Sequence, residues 1–176
     1  MDFRAAIELL ATFFDSQKAP YAVIGGVAMA ALGMPRTTLD IDIVVPAGVQ
    51  DALVAHLEGL GYETLHRSAG YSNHLHPDPE RGRIDVVYVR DDTERRLFGA
   101  VEVVPGFEDR ELPVPKPVHL AAMKLFSIRN DPGRAERELE DVRFLIESAG
   151  VDRDRVDEYL RRYGLEELRG RLDDDH

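Results

Sequence analysis

The pentapeptide Asp40-Ile41-Asp42-Ile43-Val44 constrains the fold of this chain more than any other segment. Its β-branched residues predict a β-strand, a structure in which aspartate is rare. Side chains at positions i and i+2 of a strand lie on the same face, roughly 6.6 Å apart along the backbone. Because two like charges so placed repel each other, we expect a cation to sit between Asp40 and Asp42, as in Mg²⁺-dependent phosphoryl chemistry. The alternative is an amphipathic edge strand that shows its acids to water.

A glycine pair precedes this strand. Gly25 and Gly26 follow the apolar run Tyr21-Ala22-Val23-Ile24 and precede a helical segment, so the local unit is strand, glycine turn, helix. Glycines at such a turn let a phosphate approach the backbone, although a tight turn needing positive φ would also explain them. The segment does not match the Gly-x-Gly-x-x-Gly pattern of dinucleotide-binding proteins.

A third acid lies in a later apolar strand. Asp85 is flanked by Ile84 and Val86 within the predicted strand 83–89. If the two strands are neighbours, Asp85 completes a cation site with Asp40 and Asp42 and accepts the proton of an attacking hydroxyl. A solvated acid near a strand end is the competing interpretation.

The length and composition favour one α/β core followed by helices. The chain has 176 residues, of which 44% are apolar and 31% charged, and it carries a formal net charge of −11. It has no cysteine, no apolar run of membrane-spanning length and no visible signal peptide, which together predict a cytoplasmic protein without a membrane partner. The negative charge opposes non-specific attraction to nucleic acid.

The order of patterns predicts a core over residues 1–116 and a helical subdomain over 117–176. In the core we expect helices over 3–16, 27–32 and 49–60 and strands over 21–24, 39–45, 62–66, 83–89 and 101–104. Residues 67–81 are polar and predict an irregular segment, so we interpret His74 and His76 as loop residues. Prolines between 105 and 117 predict a turn-rich crossing, after which helices are expected over 119–129, 133–148 and 153–163, with a last short segment over 165–172.

Each of the remaining candidate site residues has two interpretations. Arg36, Thr37 and Thr38 precede the aspartates, so they either contact phosphate or form a plain strand entry. Lys124 lies within an apolar helix face and is either a phosphate ligand or a lysine whose stem covers that face. Asp141 could orient Lys124, but we interpret it as a surface acid.

The motifs together resemble those of the polymerase-β-like nucleotidyltransferase superfamily. The resemblance rests on Ile24-Gly25-Gly26, a spacer of 13 residues, Asp40-Ile41-Asp42-Ile43, and Ile84-Asp85-Val86 on a later strand. Within the superfamily, the run from Gly25 to Asp42 and the segment from Ala122 to Val142 are most similar to toxins of abortive-infection and type IV toxin–antitoxin systems. Many members have Gly-Ser where this chain has Gly25-Gly26, so a hydroxyl contact to phosphate is missing.

This resemblance implies an α/β (α+β) nucleotidyltransferase core with a mixed β-sheet and a helical C-terminal subdomain. It implies a reaction in which a hydroxyl attacks the α-phosphorus of a nucleoside triphosphate and releases pyrophosphate. By this resemblance, Mg²⁺ would be held by Asp40, Asp42 and Asp85, and the triphosphate would lie against Gly25 and Gly26. From the residues themselves we add Arg36, Thr38 and Lys124 as expected contacts of the nucleotide. We expect an RNA or protein acceptor and, for a toxin, a cognate antitoxin. The alternatives are nucleotidylation of a small molecule such as an aminoglycoside, or a catalytically inactive binding module.

Overall fold

The computed structural model describes residues 1–34, 36–106 and 110–173. The chain divides into two compact units, Met1–Pro115 and Lys116–His176. No helix within the described ranges has the length and apolar character needed to span a bilayer.

The first unit contains a five-stranded mixed sheet. Its strands are β1 (Ala22–Ile24), β2 (Asp40–Pro46), β3 (Glu63–Arg67), β4 (Tyr71–Leu75) and β5 (Arg83–Val89), in the spatial order β1-β2-β5-β4-β3. Only the central pair β2 and β5 is parallel, and the other three pairs are antiparallel. A separate hairpin-like pair is formed by β6 (Val101–Pro105) and β7 (Glu111–Pro115). The prediction of a mixed sheet is therefore confirmed.

The helices of this unit are α1 (Phe3–Gln17), α2 (Gly25–Ala31), α3 (Gln50–Gly59) and α4 (Asp91–Phe98). The two central strands, β2 and β5, each contribute one apolar face to the core, where Ile41, Ile43, Ile84 and Val86 are fully buried. Side chains alternate along a strand, so the residues between these four point to the opposite face of the sheet. That opposite face carries the acids considered below.

Three elements were absent from the sequence prediction. β4 lies in the segment predicted to be irregular. It was not predicted because its buried positions, Ser72 and His74, are polar, so the sequence shows no alternation of apolar residues there. β7 was hidden by Pro113 and Pro115, which remove backbone donors but are tolerated in an edge strand. α4 has three acids in its first turn and one buried residue, Leu97, which gives it almost no apolar face to detect.

The interpretation of His74 as a loop residue was wrong, because His74 lies in β4, where it is fully buried within a chain of hydrogen-bonded polar side chains. Thr64 Oγ1 donates to Glu58 Oε1 at 2.7 Å, so the 3.0 Å contact between Thr64 Oγ1 and His74 Nδ1 requires a proton on Nδ1. His74 Nε2 then accepts from Ser72 Oγ at 2.8 Å, and Ser72 accepts from Tyr88 at 2.7 Å. This chain satisfies polar groups that would be costly to bury alone.

We predict that His74 makes the protein less stable in mild acid. Burial lowers the pKa of His74 below its ordinary value of 6.5. The charges of Glu58 and Asp85 oppose this shift, and the charge of Arg67 adds to it. Below pH 6.5 the unfolded chain therefore binds a proton that the folded chain refuses, so the free energy of unfolding falls with pH until the lowered pKa is reached. Urea unfolding between pH 7.5 and 5.5 should show a slope contribution of at most about 1.4 kcal/mol per pH unit.

That contribution should disappear in His74→Gln. The pKa of His119, in the second unit, is also lowered by burial, so His119→Gln is the matched comparison for a histidine outside the polar chain. An acid slope that is the same in wild type and His74→Gln would show that His74 does not titrate as described.

The second unit is helical, as predicted. It contains α5 (Pro117–Asn130), α6 (Ala135–Glu147) and α7 (Arg153–Tyr163). Short 3₁₀ turns occupy Pro132–Arg134, Glu166–Leu168 and Gly170–Leu172, so the expected last helix is two such turns. The core of this unit is formed by apolar residues of all three helices, among them Leu120, Leu125, Leu139, Val142, Val156 and Leu160.

Candidate active site

The first turn of α2 is built around a contact between Gly25 and Asp42. Gly25 has φ +63°, a left-handed conformation that side chains other than glycine rarely adopt. A Cβ added to Gly25 would lie 1.9 Å from Asp42 Oδ2 and 2.6 Å from Asp42 Cγ. The glycine is needed both for the backbone turn and for the space that the carboxylate occupies. The tight-turn explanation is thus correct for Gly25, but it is incomplete.

Gly26 has a similar relation to Thr38. A Cβ on Gly26 would lie 2.8 Å from Thr38 Cβ and 3.0 Å from its hydroxyl oxygen. Thr38 Oγ1 in turn donates a hydrogen bond of 2.6 Å to Asp40 Oδ1. Thr38 therefore orients one of the two aspartates from the segment that enters β2.

The strand register brings Asp85 beside the other two acids. Asp42 pairs with Asp85, and Asp40 pairs with Arg83, in the parallel ladder of β2 and β5. Residues paired in register point to the same side of the sheet, so Asp40, Asp42 and Asp85 share one face. β2 lies between β1 and β5, which rules out the edge-strand alternative, and Asp85 is mid-strand and only 9% exposed, which rules out a solvated strand end.

Arg83 and Tyr71 contact Asp85 and were not predicted. Arg83 Nε donates to Asp85 Oδ1 at 2.7 Å, and this hydrogen bond raises the already high pKa of Arg83. Burial raises the pKa of the Tyr71 phenol, the charge of Asp85 raises it further, and its side chain hydrogen-bonds with both Arg83 and Asp85. The sequence signal for Arg83 was its position two residues before Asp85, which places it on the same strand face.

Asn73 is a further polar residue on this face. It pairs in register with Asp85 across β4 and β5. Its Oδ1 is buried and has no hydrogen-bond partner among the described residues. A buried, unsatisfied amide oxygen is unusual, because it loses hydration without a compensating bond. Asn73 therefore leaves an acceptor next to the acids.

The donor set fits a hard divalent cation in its chemistry. Three carboxylates and an amide oxygen are oxygen ligands of the kind that Mg²⁺ and Ca²⁺ take. Within residues 1–34, 36–106 and 110–173, no three acidic or histidine side chains already stand in a metal-binding arrangement. Two of the carboxylates instead accept from protein donors, Asp40 from Thr38 and Asp85 from Arg83. The three acids share a face without being closed around one point.

The other predicted nucleotide contacts have different positions. Arg36 is half-buried in the segment before β2, and Thr37 beside it is exposed. Lys124 belongs to α5 in the second unit, where Nζ lies 2.6 Å from Asp141 Oδ2 and 3.0 Å from Glu138 Oε2. Asp141 is completely buried, so its interpretation as a surface acid was wrong.

Lys124 is a counter-charge of this buried cluster. Its side chain is 13% exposed, while Glu138 and Asp141 are 1% and 0% exposed, and Arg134 adds a second cation, 2.7 Å from Glu138. We predict that Lys124→Met lowers the free energy of unfolding by about 3–5 kcal/mol, because it leaves two buried acids undercompensated. Urea unfolding measures this, and Arg134→Met, which removes a half-exposed cation from the same cluster, should cost much less. A loss below about 1 kcal/mol for Lys124→Met would contradict a structural role.

Comparison with known structures and sequences identifies the class of protein. The fold is that of the nucleotidyltransferases with the polymerase-β-like fold. The sequence model of the family described as "Nucleotidyl transferase AbiEii toxin, Type IV TA system" matches residues 8–175. The chain belongs to this family, and it is a nucleotidyltransferase. No curated protein sequence is similar enough to count as a match.

Solved structures share the fold at low sequence identity. The antibiotic-resistance factor ANT(2'')-Ia has a TM-score of 0.69 and 16% identity, covering 97% of this chain and 99% of its own. The lincosamide antibiotic adenylyltransferase LnuA, with lincomycin bound, has a TM-score of 0.53 and 19% identity, covering 66% and 82%. A nucleotidyltransferase-like protein from Thermotoga maritima has a TM-score of 0.51 and 12% identity, covering 78% and 94%.

Proposed function

We propose that this protein is a Mg²⁺-dependent enzyme that transfers a nucleoside monophosphate from a nucleoside triphosphate to a hydroxyl of RNA or protein. The observation that carries the proposal is the register pairing of Asp42 with Asp85, with Asp40 on the same face and the Asp42 carboxylate against Gly25. Three acids that share one face of two adjacent parallel strands repel one another and so oppose folding, a cost that a bound cation would offset.

The proposed cation site consists of Asp40, Asp42 and Asp85. When bound there, Mg²⁺ would neutralise charge on the triphosphate and lower the cost of bringing the acceptor oxygen to the α-phosphorus. Asn73 supplies a neutral oxygen beside the same three acids. Its buried acceptor supports the proposal, since it is satisfied if a cation or a water held by one is present.

The chain's own residues divide the remaining work. The acceptor oxygen forms a bond to the α-phosphorus, the bond from phosphorus to the bridging oxygen of the leaving pyrophosphate breaks, and the acceptor proton passes to Asp85. Arg83 and Tyr71 fix the Asp85 carboxylate in position. Thr38 fixes Asp40, and Gly25 and Gly26 keep the first turn of α2 free of side chains. Arg36 and Lys124 stay proposed contacts of the nucleotide.

The family supports a biological setting as well as a reaction. Its description names a toxin of a type IV toxin–antitoxin system. We propose that this chain acts as such a toxin in the cytoplasm and that a cognate antitoxin opposes it.

A transfer assay tests the reaction and the acceptor together. Purified protein, Mg²⁺ and each of four [α-³²P]nucleoside triphosphates are incubated with total cell extract, and the products are split into RNA, protein and small-molecule fractions. Label is expected in RNA or protein and in no fraction when Mg²⁺ is chelated. Label that stays in triphosphate in every condition would contradict the proposed function and favour a binding module of the same fold.

A small-molecule acceptor is the second candidate. ANT(2'')-Ia, an antibiotic-resistance factor, matches this chain over almost its full length, and LnuA is a lincosamide antibiotic adenylyltransferase. The same assay with aminoglycosides and lincosamides in place of extract separates the two functions. Label in the drug and none in RNA or protein would replace the macromolecular acceptor by a small molecule.

A further inference from the structure

One exposed face of α5 and α7 combines aromatic rings with cationic side chains. Consecutive helical residues are about 100° apart around the axis, so both tyrosines of α7 and two of its four arginines, Arg155 and Arg162, fall on a single arc of about 100°. The three acids of α7, Asp154, Asp157 and Glu158, all lie outside it. α5 contributes Phe126 and Arg129. The six residues of this aromatic–basic stripe are Phe126, Arg129, Arg155, Tyr159, Arg162 and Tyr163.

The rings of the stripe form a row. The ring centroids of Phe126 and Tyr163 are 5.6 Å apart, and those of Tyr163 and Tyr159 are 6.1 Å apart. The guanidinium of Arg155 lies 6.0 Å from the centre of the Tyr159 ring, in cation–π position. Phe126 is 47% exposed, which is unusual for a phenylalanine, and both tyrosines are partly exposed. The row therefore offers ring surface to solvent.

Two cations lie close to Tyr163, the middle ring of this row. Burial raises the pKa of the Tyr163 phenol, Arg162 and Arg129 lower it, and Tyr159 raises it. Both arginines are thus close enough to act on the ring, although they come from different helices. Both are exposed.

A second group of cations lies at the Tyr159 end of the row. Burial lowers the pKa of His119, and the charges of Lys116 and Arg155 lower it further. Arg155 also pairs with Glu158 at 2.6 Å, but both side chains are about half exposed, and such pairs are worth little. α5 has no acid among its 14 residues, while the whole chain has 33 Asp and Glu, so α5 adds no negative charge of its own to the stripe.

We propose that the aromatic–basic stripe binds single-stranded RNA. Unpaired bases stack on exposed aromatic rings, and arginines beside the rings contact the phosphates that follow each base. A net charge of −11 repels a polyanion elsewhere on the surface, so binding must be confined to a local positive field of this kind. His119 and the exposed Asn130, both on α5, supply uncharged polar groups suited to 2′-hydroxyls.

The dimensions and chemistry favour this occupant over others. A helix of 14 residues is about 21 Å long, which suits a few nucleotides and is too short for the span over which duplex RNA is recognised by shape. An apolar protein partner would leave the three arginines of the stripe facing apolar surface, and the Asp and Glu side chains of an acidic peptide have no aromatic ring to stack on the three rings of the stripe. If the RNA is also the acceptor, that assignment rests on the proposed function, whereas RNA binding itself does not.

Fluorescence anisotropy with the full-length protein tests the stripe. The probe is a labelled 12-nucleotide single-stranded RNA of mixed sequence at about 50 mM salt. We expect Phe126→Ala/Tyr163→Ala to weaken binding by tenfold or more, because each lost stacking contact is worth roughly 1–3 kcal/mol. Arg129→Gln/Arg162→Gln should weaken binding and reduce its salt dependence. Tyr163→Phe should bind as wild type, because the ring is kept.

The matched control is Arg95→Gln/Arg96→Gln, which removes two cations from α4 and should leave RNA binding unchanged. Circular dichroism and thermal unfolding confirm that each variant is folded. The proposal is overturned if the wild type does not bind the RNA, or if the ring variant and the α4 variant weaken binding equally. It is also overturned if single-stranded DNA of the same sequence or duplex RNA binds as tightly as the single-stranded RNA. A third contrary result is that polyglutamate displaces the RNA probe as efficiently as unlabelled RNA does.

One variant separates this proposal from the proposed function. Asp42→Asn should retain full RNA binding, because Asp42 lies in the first unit and the stripe in the second. If the wild type binds RNA but transfers no nucleotide to it, the RNA-binding proposal is supported and the proposal that RNA is the acceptor is contradicted. Transfer to RNA that is unaffected by Phe126→Ala/Tyr163→Ala would exclude the stripe as the site that holds the acceptor and would leave the proposed enzyme activity intact.

Discussion

Asp42→Asn is expected to fold as the wild type does and to transfer nucleotide about 10³-fold more slowly, a loss typical of removing one electrostatic group from a reacting centre. Asparagine keeps the shape of the side chain that lies against Gly25 but removes the charge that a cation needs. The free energy of unfolding should change by less than about 1 kcal/mol, because the change is nearly isosteric and relieves repulsion with Asp85. The measurements are initial rates of label transfer and urea unfolding.

Asp15→Asn is the control for net charge. Asp15 is an exposed acid of α1, so its variant should keep the wild-type rate. A loss of activity shared by Asp42→Asn and Asp15→Asn would point to net charge alone, and a wild-type rate in Asp42→Asn would exclude this carboxylate from the reaction.

Among substitutions that add one methyl group to the first unit, Gly25→Ala is expected to cause the largest loss of stability and activity. The new Cβ would lie 1.9 Å from Asp42 Oδ2, and the residue would have to keep φ +63°. The conformational part costs about 1–2 kcal/mol, and overpacking typically adds about 1–3 kcal/mol. Either Asp42 or the α2 turn must move, so nucleotide transfer should fall at least about 10²-fold, as for other small displacements at a reacting centre. Thermal unfolding and transfer rates measure the two effects.

Gly150→Ala separates the two parts of that cost. Gly150 has φ +67°, almost the same conformation, and a Cβ there meets nothing within 4 Å. Its variant should show the conformational cost alone and wild-type activity. Equal destabilisation by Gly25→Ala and Gly150→Ala would mean that Asp42 adjusts to the methyl group at no cost.

The acids and glycines could be predicted from sequence because each breaks a local rule. Aspartates are out of place in an apolar strand, and two adjacent glycines are out of place between a strand and a helix. Such conflicts between local preference and position mark functional sites. The alternation of β2 and β5 then fixed which side chains share a face, and only the pairing of these two strands had to be assumed.

The residues that the sequence did not reveal are those whose role depends on a partner far along the chain. Arg83 and Asn73 are ordinary strand residues until β5 pairs with β2 and β4. His74 is buried only because Ser72, Thr64 and Tyr88 bond it in turn. Asp141 has the sequence context of a surface acid, and its burial follows from α6 packing on Lys124 of α5. Polar burial of this kind has no periodic signal.

Binding of Mn²⁺ in place of Mg²⁺, followed by electron paramagnetic resonance in the presence of a non-hydrolysable nucleoside triphosphate, tests most directly whether the three acids form one cation site. The nucleotide itself binds some Mn²⁺, so the measured quantity is the protein-dependent fraction. The wild type and Asp15→Asn should show it, and Asp42→Asn and Asp85→Asn should each lose it. Protein-bound Mn²⁺ that persists unchanged in both of the latter variants would contradict the account.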